Sequence, residues 1–387
     1  MRPTGSPFRD DDEQRLDLYF TKKLKAQRFN PADSVGESEW DIFRTSLGSC
    51  WDHLGGTTPQ RRQDGIAFRL AAGFVDMASP SAFATAEDGT HLIGVHTGLA
   101  ASMLEISLFF YSQASFFPEV GDPSRERSPA LGSDSALSMT VVDLVRQANQ
   151  SGIRSYGEMI TPIDGTRYLH AQLMALLLLR FAWYHEFYHC VNGHVGLVHD
   201  LGLASALCQI GDDAHGVPAT FPKEAMPQLS AQEVMHCLEL DADRSALWAS
   251  AKIQLSGDEN IVGLARLDLR HRMKMVLFSS FLITHFFAEH NRRSSVPSLL
   301  HPRPELRLHN LVRTIASNLL DDYPQTRHLF AEVLDEFTSL ERAVPGLMRT
   351  SDLLRDFRSE EFQARLEKTE RKLELLRQAT LPFNYVQ

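Results

Sequence analysis

A chain of 387 residues with 43% hydrophobic side chains is long enough to bury a sizeable core, as one large domain or two ordinary ones. Its net charge of −10, with no basic run of the kind that tracks phosphates, argues against nucleic acid as a primary ligand. The four cysteines, Cys50, Cys190, Cys208 and Cys237, include no CxxC pair and read as reduced thiols of a cytoplasmic protein.

The polar, acidic start MRPTGSPFRDDDEQRLDLYF lacks the basic-then-apolar order of an export signal. Residues 1–60 read as helical, with DDDEQRLDLYFTKKLKAQRF as a first amphipathic segment. Ile66 to Val95 alternates, with turn residues between, and THLIGVHTGLA reads as a short strand ending near a turn at Gly98. A helix through SMLEISLFFYSQASFF follows. Pro118 to Ala136 is a loop by composition, ALSMTVVDLVRQANQSG a helix stopped by Gly152, and TPIDGT a turn.

Two strongly apolar runs come next, Leu173 to Tyr184 and Met275 to Ala288. Both fall short of the roughly 20 residues that a bilayer span needs, so they read as buried core helices and no membrane partner is expected. Between them lie a second loop, Gly211 to Gln228, and LSAQEVMHCLELDADRSALWASAKIQ. There the Ser230/Glu233 spacing of a capping box marks a helix start. After a proline-bearing turn, SSVPSLLHPRPELRLHNL, charged helices run to the end, and SEEFQARLEKTERKLELLRQ reads as an exposed amphipathic helix with a solvated face. The expected division is an N-terminal helical region (1–89), a core (90–311) and a C-terminal helical region (312–387), packed as one unit.

Chemistry concentrates in WYHEFYHCVNGH, at the end of the first apolar helix. His185-Glu186-Phe187-Tyr188-His189 is HExxH. Residues four apart share a helix face, so both imidazoles reach one cation, while Glu186 is angled to act as a base. Three protein ligands with one open position is the arrangement of a catalytic zinc. The bland alternative, a histidine-rich core helix, would leave desolvated polar groups in need of other partners. Tyr184 and Tyr188 flank the pair and read first as core residues.

The third ligand has several candidates. His194 follows an Asn192-Gly193 pair that reads as a helix stop, which makes it a bystander beyond the cap; His199 requires the chain to fold back. Glu239, in HCLELDADRSA, is the better candidate, since it shares a helix face with Asp243, and Ala242 and Ala246 nearby would let that helix approach another closely. Glu239 is then the ligand, and Asp243 accepts the free N–H of a ligand histidine. His236, one turn before Glu239, ranks below it. In HPRPELR, the prolines stiffen the turn before a helix; His301 can donate to an oxyanion and Arg307 can hold a carboxylate such as Glu239 or a substrate group.

The blocks HEFYHCVNGH, ELDAD and HPRPELR resemble the signature of gluzincin-type zinc metallopeptidases whose third ligand is the Glu of an ExxAD-like helix. That grouping includes the heat-shock-type membrane proteases and the CAAX prenyl proteases; nearest is the phage-exclusion protein Lit family of soluble bacterial peptidases. The resemblance runs roughly from Thr90 to Leu311, with HLIGVHTGL as counterpart of the strand before the active site. It implies His185, His189 and Glu239 as zinc ligands, Glu186 as general base and Asp243 as their support, with His301 and Arg307 facing the site. This chain departs from the membrane-type members in lacking spanning helices.

The expectation is thus a predominantly helical α+β protein with a zincin-like core, a small β-sheet and a long buried HExxH helix. As a cytoplasmic Zn2+ endopeptidase it would cut a protein or peptide substrate, with a role in phage defence implied by the resemblance. The alternative is a catalytically inactive zincin-fold interaction protein. A regulator pairing HExxH with a DNA-binding helix is disfavoured by the charge.

Overall fold

Short alternating apolar stretches in the first hundred residues make a small sheet, and the described residues after it are mostly helical. The structure, a computed structural model, describes residues 8–30, 40–54, 61–62, 64–128, 160–202, 229–293, 302–343 and 359–386. Helix α1 (Asp10–Tyr19) opens with four acidic residues, where the helix dipole favours negative charge. It leads to strand β1 (Arg28–Phe29), helix α2 (Trp40–Leu54) and strands β2 (Arg61–Arg62), β3 (Leu70–Val75), β4 (Ala82–Glu87) and β5 (Thr90–His96). A four-stranded sheet has the order β1-β3-β5-β4, with β3 and β5 parallel and both outer pairings antiparallel. Asp88 and Gly89, with φ of 48° and 74°, form the two-residue turn that joins β4 to β5, and their positive φ values match the twist of the strands. Three of the four strands precede residue 90, so the sheet spans the chain on both sides of it.

The alternation seen in sequence sorts the two faces of the sheet. Ala71, Val75, Phe83 and Leu92 pack with Leu16 and Phe20 of the N-terminal helical segment. Ala72, Phe74, Ile93 and Val95 point the other way, into the main core. Helix α3 (Thr97–Tyr111) starts directly at the end of β5. Gly98 therefore lies in the first turn of a helix and not in a turn before one; a Cβ there would collide with the Ala78 carbonyl.

The main core is organised by α4 (Gly165–Val191), capped at its start by the Asp164 side chain, which accepts from the N–H groups of Thr166 and Arg167. It is surrounded by α2, α3, the sheet, and the later helices α5 (His194–Asp200), α6 (Ala231–Ser256) and α7 (Leu269–Arg293). This explains why its apolar residues show no single stripe. Arg180, fully buried midway along α4, is neutralised by Glu259 through two hydrogen bonds of 2.7 and 2.8 Å. Among the described residues no helix is long and apolar enough to cross a membrane. The Ser230/Glu233 capping box at the start of α6 is present as expected.

Helices α8 (Pro304–Thr314), α9 (Thr326–Ala343) and α10 (Glu360–Thr380) and a final strand β6 (Tyr385–Val386) complete the chain. Helix α10 is not merely a solvated face. Phe362, Leu366, Leu373 and Leu376 are buried as it packs along α6. Beyond it β6 pairs with β2, and the Tyr385 hydroxyl lies 3.1 Å from His91 Nε2. The chain end is thus tied back to the sheet. The segment read as a helix after Ala136 and the loop Gly211 to Gln228 lie outside the described residues. The whole is an α+β protein, predominantly helical.

Candidate metal centre

The last two turns of α4 present His185 and His189 on one face, as a four-residue spacing dictates. Gly193, with φ of 76°, then turns the chain into α5. A side chain there would be strained by the backbone and would also meet the chain end, since a Cβ would lie 2.7 Å from Asn384 Oδ1 and 2.8 Å from Phe383. Across from this face runs α6. Its fully buried Ala242 and Ala246 allow a close approach to α4, which brings Glu239 and Asp243 against the two histidines.

His185 Nε2 and His189 Nε2 lie 3.0 Å apart, and each is 3.4 Å from an oxygen of Glu239. Among the described residues these three form the one group of ligand atoms that could hold a metal ion. Zinc–nitrogen bonds of about 2.0–2.1 Å in a tetrahedron place neighbouring ligand atoms about 3.3–3.4 Å apart, so the spacing fits. The remaining ring nitrogens fit as well. His185 Nδ1 faces Asp243 Oδ1 at 3.0 Å and His189 Nδ1 faces His194 Nδ1 at 3.0 Å, which leaves both Nε2 lone pairs for a cation.

Arg307, at the start of α8, donates to both Asp243 oxygens, from Nε at 2.7 Å and from Nη2 at 2.6 Å. It therefore engages Asp243, not Glu239. On the other side His194 Nε2 lies 3.3 Å from Asp241 Oδ2. Asp241 accepts from Asn192 Nδ2 at 2.9 Å and from Arg377 Nε of α10 at 3.0 Å.

The electrostatics follow from burial and these pairings. Burial works against a charged His185, but the hydrogen bonds that its ring donates to Asp243 and Glu239 outweigh it and push the imidazole up to about 10. His189 is pulled down to about 4 by burial, against its contact with Glu239. Burial pushes Glu186 up to about 8, with the Glu239 charge adding to it and His185 and Arg307 opposing. Asp243 and Asp241 are buried, which raises a carboxyl pKa, yet their cationic and imidazole partners hold both below the usual value. A dry site with carboxylates of such unequal proton affinity is where acid–base work is commonly found.

Of the residues singled out in the sequence, His185, Glu186, His189, Glu239, Asp243 and Arg307 come together, whereas His301 lies outside the described residues. His199 is exposed on α5, and neither it nor His236 belongs to the ligand group. Tyr184 is a buried core residue. His194 is no metal ligand here, but it is no bystander either, because the turn at Gly193 folds its ring back onto His189. Asp241 and Arg377 were not anticipated. Asp241 was visible only as one acid among three in ELDAD, and nothing in the local sequence connects it to Arg377. Comparison with family models, with curated proteins and with solved structures finds no match to this chain.

Proposed function

We propose that this chain is a zinc-dependent endopeptidase with a zincin-like core, acting in the cytoplasm on a protein or peptide substrate. The observation that carries the reading is the buried His185/His189/Glu239 group with a second carboxylate, Glu186, beside it. When bound, zinc supplies Lewis acidity, which acidifies water and polarises a carbonyl.

The protein's own residues divide the remaining work. Glu239 faces two imidazoles, Asp243 is held by Arg307, and Asp241 by Arg377 and Asn192. Glu186 has no such engagement among the described residues and is the carboxylate left to move a proton. It takes one from the attacking water and returns it to the leaving amine. Asp243 and Arg307 orient His185. A role in phage defence rests on the resemblance of HEFYHCVNGH and ELDAD to the Lit-type peptidases alone.

A second reading, a metal-stabilised interaction protein without catalysis, draws on one fact. His185, Glu186, His189 and Glu239 each expose only 2–4% of their surface. Glu186→Gln separates the two, because binding needs the ligands while hydrolysis also needs the base. Zinc content and folding are expected to persist in the variant. New protein N-termini, measured by proteomics in cells expressing the wild type, are expected to disappear. Cleavage retained by Glu186→Gln sinks the peptidase mechanism, and a folded wild type that purifies and reconstitutes without zinc sinks the metal centre.

A further inference from the structure

Hydrolysis as described leaves His194 and Arg377 without a task, yet with Asp241 they connect a candidate ligand to the C-terminal helix. His189 turns Nε2 toward His185 and Glu239, so a ligating His189 carries its ring proton on Nδ1. That atom faces His194 Nδ1 at 3.0 Å, which accepts a hydrogen bond only when the His194 proton sits on Nε2. His194 Nε2 faces Asp241 Oδ2 at 3.3 Å, and a carboxylate there can only accept. Asp241 in turn accepts from Arg377 Nε on Oδ1 at 3.0 Å and from the Asn192 amide on Oδ2 at 2.9 Å. For a neutral His194 these contacts select one proton placement. His194 is 1% exposed, so bulk water has little access with which to substitute for it.

We propose that His194, backed by Asp241 and Arg377, is a positioning residue that fixes His189 in its Nδ1-protonated tautomer and thereby raises the site's affinity for zinc. The proposal rests on the metal-centre reading and adds to it a dependence of ligand geometry on the C-terminal helix. It also gives the Gly193 turn a purpose, since only that reversal lets a residue five positions beyond His189 reach back to its ring.

The test titrates metal-free full-length protein with Zn2+ against a chromophoric chelator, for the wild type, His194→Phe and His194→Gln. Phe fills the space without a nitrogen, whereas Gln keeps one acceptor for His189 and one donor for Asp241. Phe is expected to weaken zinc binding about 10–100-fold, the range typical of lost ligand support, with Gln much closer to wild type. Phe binding as tightly as a zinc-binding wild type, or Phe and Gln weakening it equally, overturns the positioning role alone. A folded wild type that takes up no zinc overturns the metal centre beneath it. Should His194→Phe not fold, imidazole nitrogen NMR of the zinc-loaded wild type decides. His189 protonated at Nδ1 and His194 at Nε2 is the expected pattern, and a His194 protonated at Nδ1 overturns the proposal.

Discussion

The two histidines of the candidate centre are supported in opposite ways. His185 rests directly on a carboxylate, Asp243, whose charge is cancelled by Arg307, and all three are buried. His189 rests on a second imidazole, His194, and the compensating charges stand one step further out, ending at an Arg377 side chain that is 47% exposed. The first arrangement makes a ligand more basic at the cost of burying two charges; the second orients a ligand while leaving the outermost charge in water. Removing a partner should therefore be expensive on the inner side and cheap on the outer one.

The most direct way to break the comparison is Arg307→Ala. It strands the fully buried Asp243 carboxylate, and a loss of about 3–5 kcal/mol in urea unfolding is expected. A loss no larger than that of an exposed pair would mean that Asp243 takes up a proton at little cost and that the inner side is not charged.

A half-buried carboxyl with no cationic partner among the described residues sharpens the contrast. Glu105 of α3 is pushed up to about 7 by burial alone. Because its folded-state pKa lies above the unfolded value of 4.5, its stability contribution is intact below pH 4.5 and is lost as pH rises through 7. Glu105→Gln should thus stabilise the protein at pH 8, by on the order of 2 kcal/mol, and change little at pH 4, as thermal unfolding at the two pH values would reveal. Equal effects at both would show that Glu105 is not held protonated by the fold.

Arg377→Ala should have the smallest effect, under about 1 kcal/mol in the same urea experiment, because its ion pair is partly solvated. In zinc titrations it should weaken binding less than His194→Phe, since Asp241 keeps Asn192 as a donor. A loss as large as that of Arg307→Ala would erase the distinction between the two sides.

Local geometry made a good part of this protein legible in its sequence. HExxH places His185 and His189 on one helix face whatever surrounds them, and the same spacing rule pairs Glu239 with Asp243. Ser230 and Glu233 marked the start of their helix, and the alternation before Val95 marked the sheet. These features depend on neighbours within a turn of helix or along a strand, where backbone periodicity leaves few choices. Partners drawn from different elements had no such constraint. Whether Arg307 would meet Glu239 or Asp243, whether His194 would swing clear of the helix or fold back onto it, and whether the charged helix at Glu360–Thr380 would lie in solvent or along α6 were decided by packing. In each case several pairings were compatible with charge and spacing, and only the approach of α4, α6 and the C-terminal helix selected one.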